Sequence, residues 1–210
     1  MRKTITQNHI FHITDQSTEQ AFYGCMQQWY GTEFKRRAGC GPSVASNLAL
    51  YLFETRSPGL LGSDVRSTAG CVRLMDEMWE YVTPKIGGVS TTKRFYAGLA
   101  DFMKHKGAPA SYEYCNVPVQ KAKRPGLAQV LSFVVAALDK DTPVAFLNLC
   151  NGAEKELDQW HWVTVIALDL QDDQNNAQIE FMDEGRIAKI DLVSWYRTTS
   201  LGGGFVYFTL

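Results

Sequence analysis

Two hydrophobic periods divide the chain. Up to residue 140 apolar positions recur at helical spacing, and beyond it they come in short β-branched and aromatic runs. Ser17 and Gln20 in STEQ form a capping box that predicts a helix to about Trp29, followed by the turn-rich YGTEFKRRAG. From Cys40, GPSVASNLALYLFE places Val44, Leu48, Tyr51 and Leu52 on one helical stripe, with Pro42 in the first turn, where its missing N–H is harmless. Amphipathic patterns predict further helices over 63–82, over 90–107 with Gly107 as the stop, and over 126–140. Then PVAFLNL (143–149), WHWVTVIALDL (160–170), AQIEFMD (177–183), GRIAKIDL (185–192) and GFVYFTL (204–210) read as strands. QDDQNNA (171–177) reads as the loop between antiparallel neighbours, and Gly202 to Gly204 as a plain turn. Helices first and an antiparallel sheet afterwards predict an α+β fold with segregated layers, a helical N-terminal part packed on the sheet. With no repeat or linker, residues 1–210 are expected to form one domain, of which 1–16 is a flexible extension.

Composition narrows the class. A chain of 210 residues, 45% hydrophobic, is enough for one buried core. The formal net charge is −1 with both signs interspersed, which argues against nucleic acid or anionic lipid as a partner; KAKR (121–124) reads as a solvated loop. The N-terminus lacks the apolar run of a secretory signal and no segment approaches the roughly 18 apolar residues of a membrane helix, so a cytoplasmic protein is expected. Five cysteines without a C-x-x-C pair argue against a disulfide framework and a zinc site. Cys25, Cys71, Cys115 and Cys150 lie in apolar patterns and read as structural thiols.

Cys40 differs in its surroundings. A helix N-terminus offers unpaired N–H groups and about half a positive charge, which favour a thiolate and could receive an oxyanion. The flanking glycines of GCGP would let the chain turn sharply and a substrate backbone approach. A thiol nucleophile needs a base. Of four histidines, His9 and His12 fall near the terminus and His105 at a helix end, whereas His161 opens the strand WHWVTV. Strand alternation predicts that Trp160 and Trp162 share one face and His161 the other. If 160–170 and 177–183 form a hairpin, Asp183 in EFMDEG lies beside His161 and can orient it; Asp169, roughly 25 Å away along the strand, cannot. Each residue taken alone also has a plain reading: Cys40 as a buried thiol, His161 packed between aromatics, Asp183 as an Asx-turn residue, and Asn47 hydrogen-bonding locally. The pairs Asp172-Asp173 and Asp183-Glu184 do not make a calcium loop.

GCGPS before a helix, HWVTV opening a later strand and D-x-G ending the next one occur in the order that resembles the papain-like cysteine peptidases, and within them the bacterial C39-type peptidases. The resemblance spans about residues 23 to 210. It implies an active site between helices and sheet, and acyl transfer by Cys40, His161 and Asp183 without metal or cofactor, on a peptide or small amide substrate. The family's oxyanion glutamine lies about six residues before the cysteine, where this chain has Phe34; Gln27 or Gln28 could serve if the intervening loop is longer, with Gln27 preferred. An amidase or transpeptidase on the same scaffold, or a silent peptide-binding module, are the alternative expectations.

Overall fold

A computed structural model describes residues 1–171 and 176–210; Asp172 and Asp173 lie outside these. The strands are β1 (Arg2–Thr4), β2 (His12–Thr14), β3 (Ala21–Tyr23), β4 (Ser111–Val117), β5 (Val144–Asn148), β6 (His161–Leu170), β7 (Ala177–Asp183), β8 (Arg186–Asp191) and β9 (Gly203–Thr209). The α-helices are α1 (Glu33–Ala38), α2 (Cys40–Arg56), α3 (Thr68–Trp79), α4 (Thr92–His105), α5 (Leu127–Asp139) and α6 (Leu192–Thr198). The fold is α+β. Antiparallel strands run in the order β4-β9-β5-β6-β7-β8, and β1 pairs with the second half of β6, from Ala167 to Asp169, where β5 has ended. The first sixteen residues are therefore part of the fold rather than an extension: Ile5, Ile10, Phe11 and Ile13 are buried, and β2 pairs with β3.

The central strands are covered on both faces. Thr164 meets Asn47 of α2, Trp162 stacks on Phe95 of α4 at 4.3 Å, and Gly204 faces Thr92, so α2 and α4 lie on one side. Phe146 and Phe205 meet Trp195 of α6, and Tyr207 meets Phe133 of α5, on the other. Burial on both faces explains why β5 and the first eight residues of β6 are apolar almost throughout instead of alternating. It also corrects the expected single layer of N-terminal helices. For the same reason α2 is buried over Cys40–Phe53 and carries no single inward stripe.

Three local expectations fail. The capping box at 17–20 does not start a helix, because Asp15 Oδ1 accepts from the Ser17 N–H at 2.8 Å and from its hydroxyl at 2.6 Å; Ser17 thus serves an Asx turn. The segment continues as β3 and a 3₁₀ turn, Gln27–Trp29. The basic run is not a solvated loop throughout, since Arg124 donates to the carbonyls of Pro118, Tyr196, Thr199 and Ser200 and ties the end of β4 to the end of α6. The strand expected to Leu192 stops at Asp191, whose carboxylate caps α6 by accepting from the Val193 N–H at 2.9 Å. Among the described residues no helix is long and apolar enough to cross a membrane.

Candidate active site

Cys40 is the first residue of α2, and Pro42 falls in the opening turn. Gly39, its N-cap, has φ −88° and ψ 1°, open to most residues, so the glycine is required for space. A Cβ there would strike the Tyr30 ring and the Lys35 carbonyl, and one on Gly41 would lie 2.7 Å from Val89 Cγ2. The two glycines of GCGP thus receive the protein's own walls, not the substrate backbone expected from the sequence.

His161 and Asp183 meet through the hairpin predicted for them. β6 and β7 pair with Thr164 opposite Met182, and His161 Nε2 lies 2.7 Å from Asp183 Oδ1. A carboxylate only accepts, so Nε2 carries the proton and Nδ1 is the nitrogen left for Cys40. The turn that ends β7 runs through Glu184 and Gly185 at φ 45° and 74°, the positive pair of a type I′ hairpin, with Asp183 opposite Arg186. A side chain on Gly185 would collide with Met26, so this turn seats the segment that carries Gln27. At the other strand end, the buried Asn148 side chain donates to the Asp158 carbonyl at 2.6 Å and accepts from Trp195 Nε1 at 2.8 Å, fixing the loop that leads into His161.

Burial alone would drive the proton off the His161 ring. The Asp183 hydrogen bond and the adjoining Cys40 thiol outweigh it and push the imidazole pKa up to about 10, so the ring keeps its proton through neutral pH.

Gln27 and Gln28 separate clearly. Gln27 lines a cavity of about 20 Å³, room for one small group, together with Cys40, Ser43, Asn47, His161 and Asp183. Its Oε1 is buried without a hydrogen-bond partner, while Gln28 is exposed. Phe34 is not at this place at all. Helix α1 stands between the 3₁₀ turn and α2, and Phe34 on it is exposed beside Trp79.

Asn47, read as a local hydrogen-bonder, instead spans three segments. Its Oδ1 accepts the Cys25 N–H at 2.7 Å, and its Nδ2 donates to Thr164 Oγ1 at 3.1 Å, fastening the Gln27 segment to α2 and β6. A Cβ on Gly24 would sit 2.9 Å from that Oδ1, so the glycine admits the contact. Nothing in the chain order around Asn47 signals this. Trp160 and Trp162 also part company: Trp162 is buried, donating to the Val89 carbonyl at 2.6 Å, whereas Trp160 precedes the strand at φ 55° and is 56% exposed.

Another cysteine, Cys150, has donors around its sulfur. Ser200 Oγ donates to Cys150 Sγ at 3.1 Å, and this bond, with N–H groups of Ser200, Gly152 and Leu201, holds the Cys150 thiol down at about 7. Its partners are a hydroxyl and backbone N–H groups, none of which is a base. Cys150 is half-buried and not the inert thiol that its apolar neighbourhood predicts.

No family model and no curated protein matches the sequence. Among solved structures the chain is similar to UfSP from C. elegans, a cysteine protease of the papain-like fold, with a TM-score of 0.57 at 8% identity. The match covers 100% of this chain and 34% of that one, so the chain spans about a third of UfSP. At this identity the likeness is one of fold: the chain has the general architecture of a papain-like α+β protein.

Proposed function

We propose that this protein is a cysteine hydrolase acting on peptide bonds, with Cys40 as nucleophile, His161 as acid and base, and Asp183 as the group that holds His161. The observation that carries this reading is the 2.7 Å His161–Asp183 bond in the cavity that Cys40 and Gln27 also line. The papain-like likeness to a cysteine protease supports it, as does the order of GCGPS, HWVTV and D-x-G, which points to a C39-like subtype.

The resting pair is the imidazolium facing the Cys40 sulfur. The thiolate attacks the scissile carbonyl carbon, and the carbonyl oxygen becomes an oxyanion. The Cys40 N–H, which opens a helix, and the Nε2 amide group of Gln27, which lines the same cavity, would donate to it. His161 gives its proton to the leaving amine, the C–N bond breaks and a Cys40 thioester remains. Neutral His161 then takes a proton from water, hydroxide adds to the thioester, and the carboxylic acid leaves as the sulfur and the imidazolium are restored. Asp183 fixes the tautomer and stabilises the imidazolium.

Because the Cys150 thiol is held down at about 7, the test uses a Cys150→Ser background. Iodoacetamide at pH 7 should alkylate Cys40 of the native fold, and a fluorogenic peptide mixture should be hydrolysed. Cys40→Ala should abolish both. Undiminished hydrolysis by Cys40→Ala, or Cys40 that reacts only after unfolding, overturns the assignment.

A further inference from the structure

Beside the nucleophile lies an open cleft of about 690 Å³ whose wall includes Cys40 itself. Three large apolar side chains from separate segments stand out into it: Phe34 of α1 at 59% exposure, Ile86 at 104% and Trp160 at 56%. Exposed apolar side chains scattered singly need no account, but three converging on a cleft beside a reactive thiol do. Ile86 occupies the tip of a tight turn in which the Lys85 and Gly88 backbones bond to each other at 3.2 and 2.8 Å. Such a tip ordinarily takes a small polar residue, and nothing in the fold packs on it. Trp160 is held at φ 55°, an outlier for an aromatic residue and the kind of backbone strain found at ligand clamps.

The cleft also has a charge. Arg37 and Lys85 line it along with Glu33, and among the described residues neither cation is engaged by an acidic side chain. Two unpaired cations against one carboxylate leave the wall positive.

We infer that this cleft binds a peptide segment with a bulky apolar side chain and a neighbouring carboxylate, which lies beside the bond that Cys40 attacks. The aromatic and aliphatic groups would clasp the apolar side chain, and Arg37 and Lys85 would receive the carboxylate. This rests on the reading of Cys40 as the nucleophile.

The experiment measures protection of Cys40 from iodoacetamide, in the Cys150→Ser background, by three blocked peptides: acetyl-Asp-Phe-Leu-amide, acetyl-Lys-Phe-Leu-amide and acetyl-Asp-Gly-Gly-amide. The half-protecting concentration of the first should be about tenfold below that of the glycine peptide, from burial of the apolar side chains. It should be about threefold below that of the lysine peptide at low salt, a gap that closes at 0.5 M salt. The double variant Phe34→Ser, Ile86→Ser, both at exposed sites, should raise it about tenfold, and Lys85→Glu should reverse the order of the charged pair. Equal protection by all three peptides, or a double variant that protects as the parent does, overturns the inference while leaving Cys40 alkylation, and with it the hydrolase reading, intact. Absence of Cys40 alkylation without any peptide overturns the hydrolase reading instead.

Discussion

Cys40 and Cys150 are two thiols in different surroundings. Cys150 lies in the loop after β5 among a hydroxyl and backbone N–H groups, which lower its pKa to about 7 but leave it without a proton acceptor. Cys40 opens the central helix with a protonated histidine beside it, itself held by a carboxylate. The first arrangement can stabilise a thiolate; only the second can also protonate a departing amine. An ionised sulfur is therefore a poor guide to catalysis, and the proton relay behind it is the better one.

The comparison is tested most severely by removing that relay. His161→Ala should lower peptide hydrolysis by roughly 10²–10⁴-fold, the usual worth of a general acid–base group, with no change in alkylation at Cys150. A loss under tenfold, read from kcat/KM, would mean that Cys40 needs no base and differs little from Cys150. Asp183→Asn should follow closely, because an amide can donate to Nε2 and favour the wrong tautomer.

The next effect concerns the oxyanion. Gln27→Ala should reduce kcat by roughly 10²–10³-fold with little change in KM, whereas Gln28→Ala, at an exposed site, should leave both unchanged. Equal losses from the two would show that the 3₁₀ turn matters only as structure.

A smaller effect appears in stability against pH. His161 has its pKa raised from 6.5 to about 10 in the fold, so its contribution to stability is fully present below about pH 6.5 and is lost as pH rises through about 10. The fall in Tm over that window should flatten in Asp183→Asn, which removes a principal cause of the rise. An unchanged slope would mean that the carboxylate is not what holds the proton.

The smallest effect is on Cys150. Ser200→Ala removes the largest cause of its low pKa, so the midpoint of its alkylation should move above about 7 while hydrolysis stays as it was.

What could be read from the chain and what could not follows from the range of the interactions. The α2 start, the β6–β7 hairpin and the β7–β8 turn at Glu184-Gly185 are each encoded within about twenty residues, and so the positions of Cys40, His161 and Asp183 could be read from GCGP, WHWVTV and EFMDEG. Segments whose state depends on distant partners could not. Residues 17–29 carry a capping box, yet Asp15 takes Ser17 for a turn, and β3 is fixed by β2 and by the Gly185 carbonyl, which accepts from Tyr23 at 2.8 Å. Strand β4 was hidden between helices, because Tyr112 and Tyr114 point at Tyr96 of α4 and its ladder is made wholly with β9, near the C-terminus.

The sequence by itself determined the change from helices to strands, the helix start at Cys40 and the hairpin that joins His161 to Asp183, since helix starts, strand periods and hairpins are local. Only the tertiary structure decided which glutamine lines the cavity with Cys40, that Phe34 lines a separate cleft, and that Asn47 joins three segments. Each of these depends on contacts between residues far apart in the chain, brought together by a core that no single stretch of sequence describes.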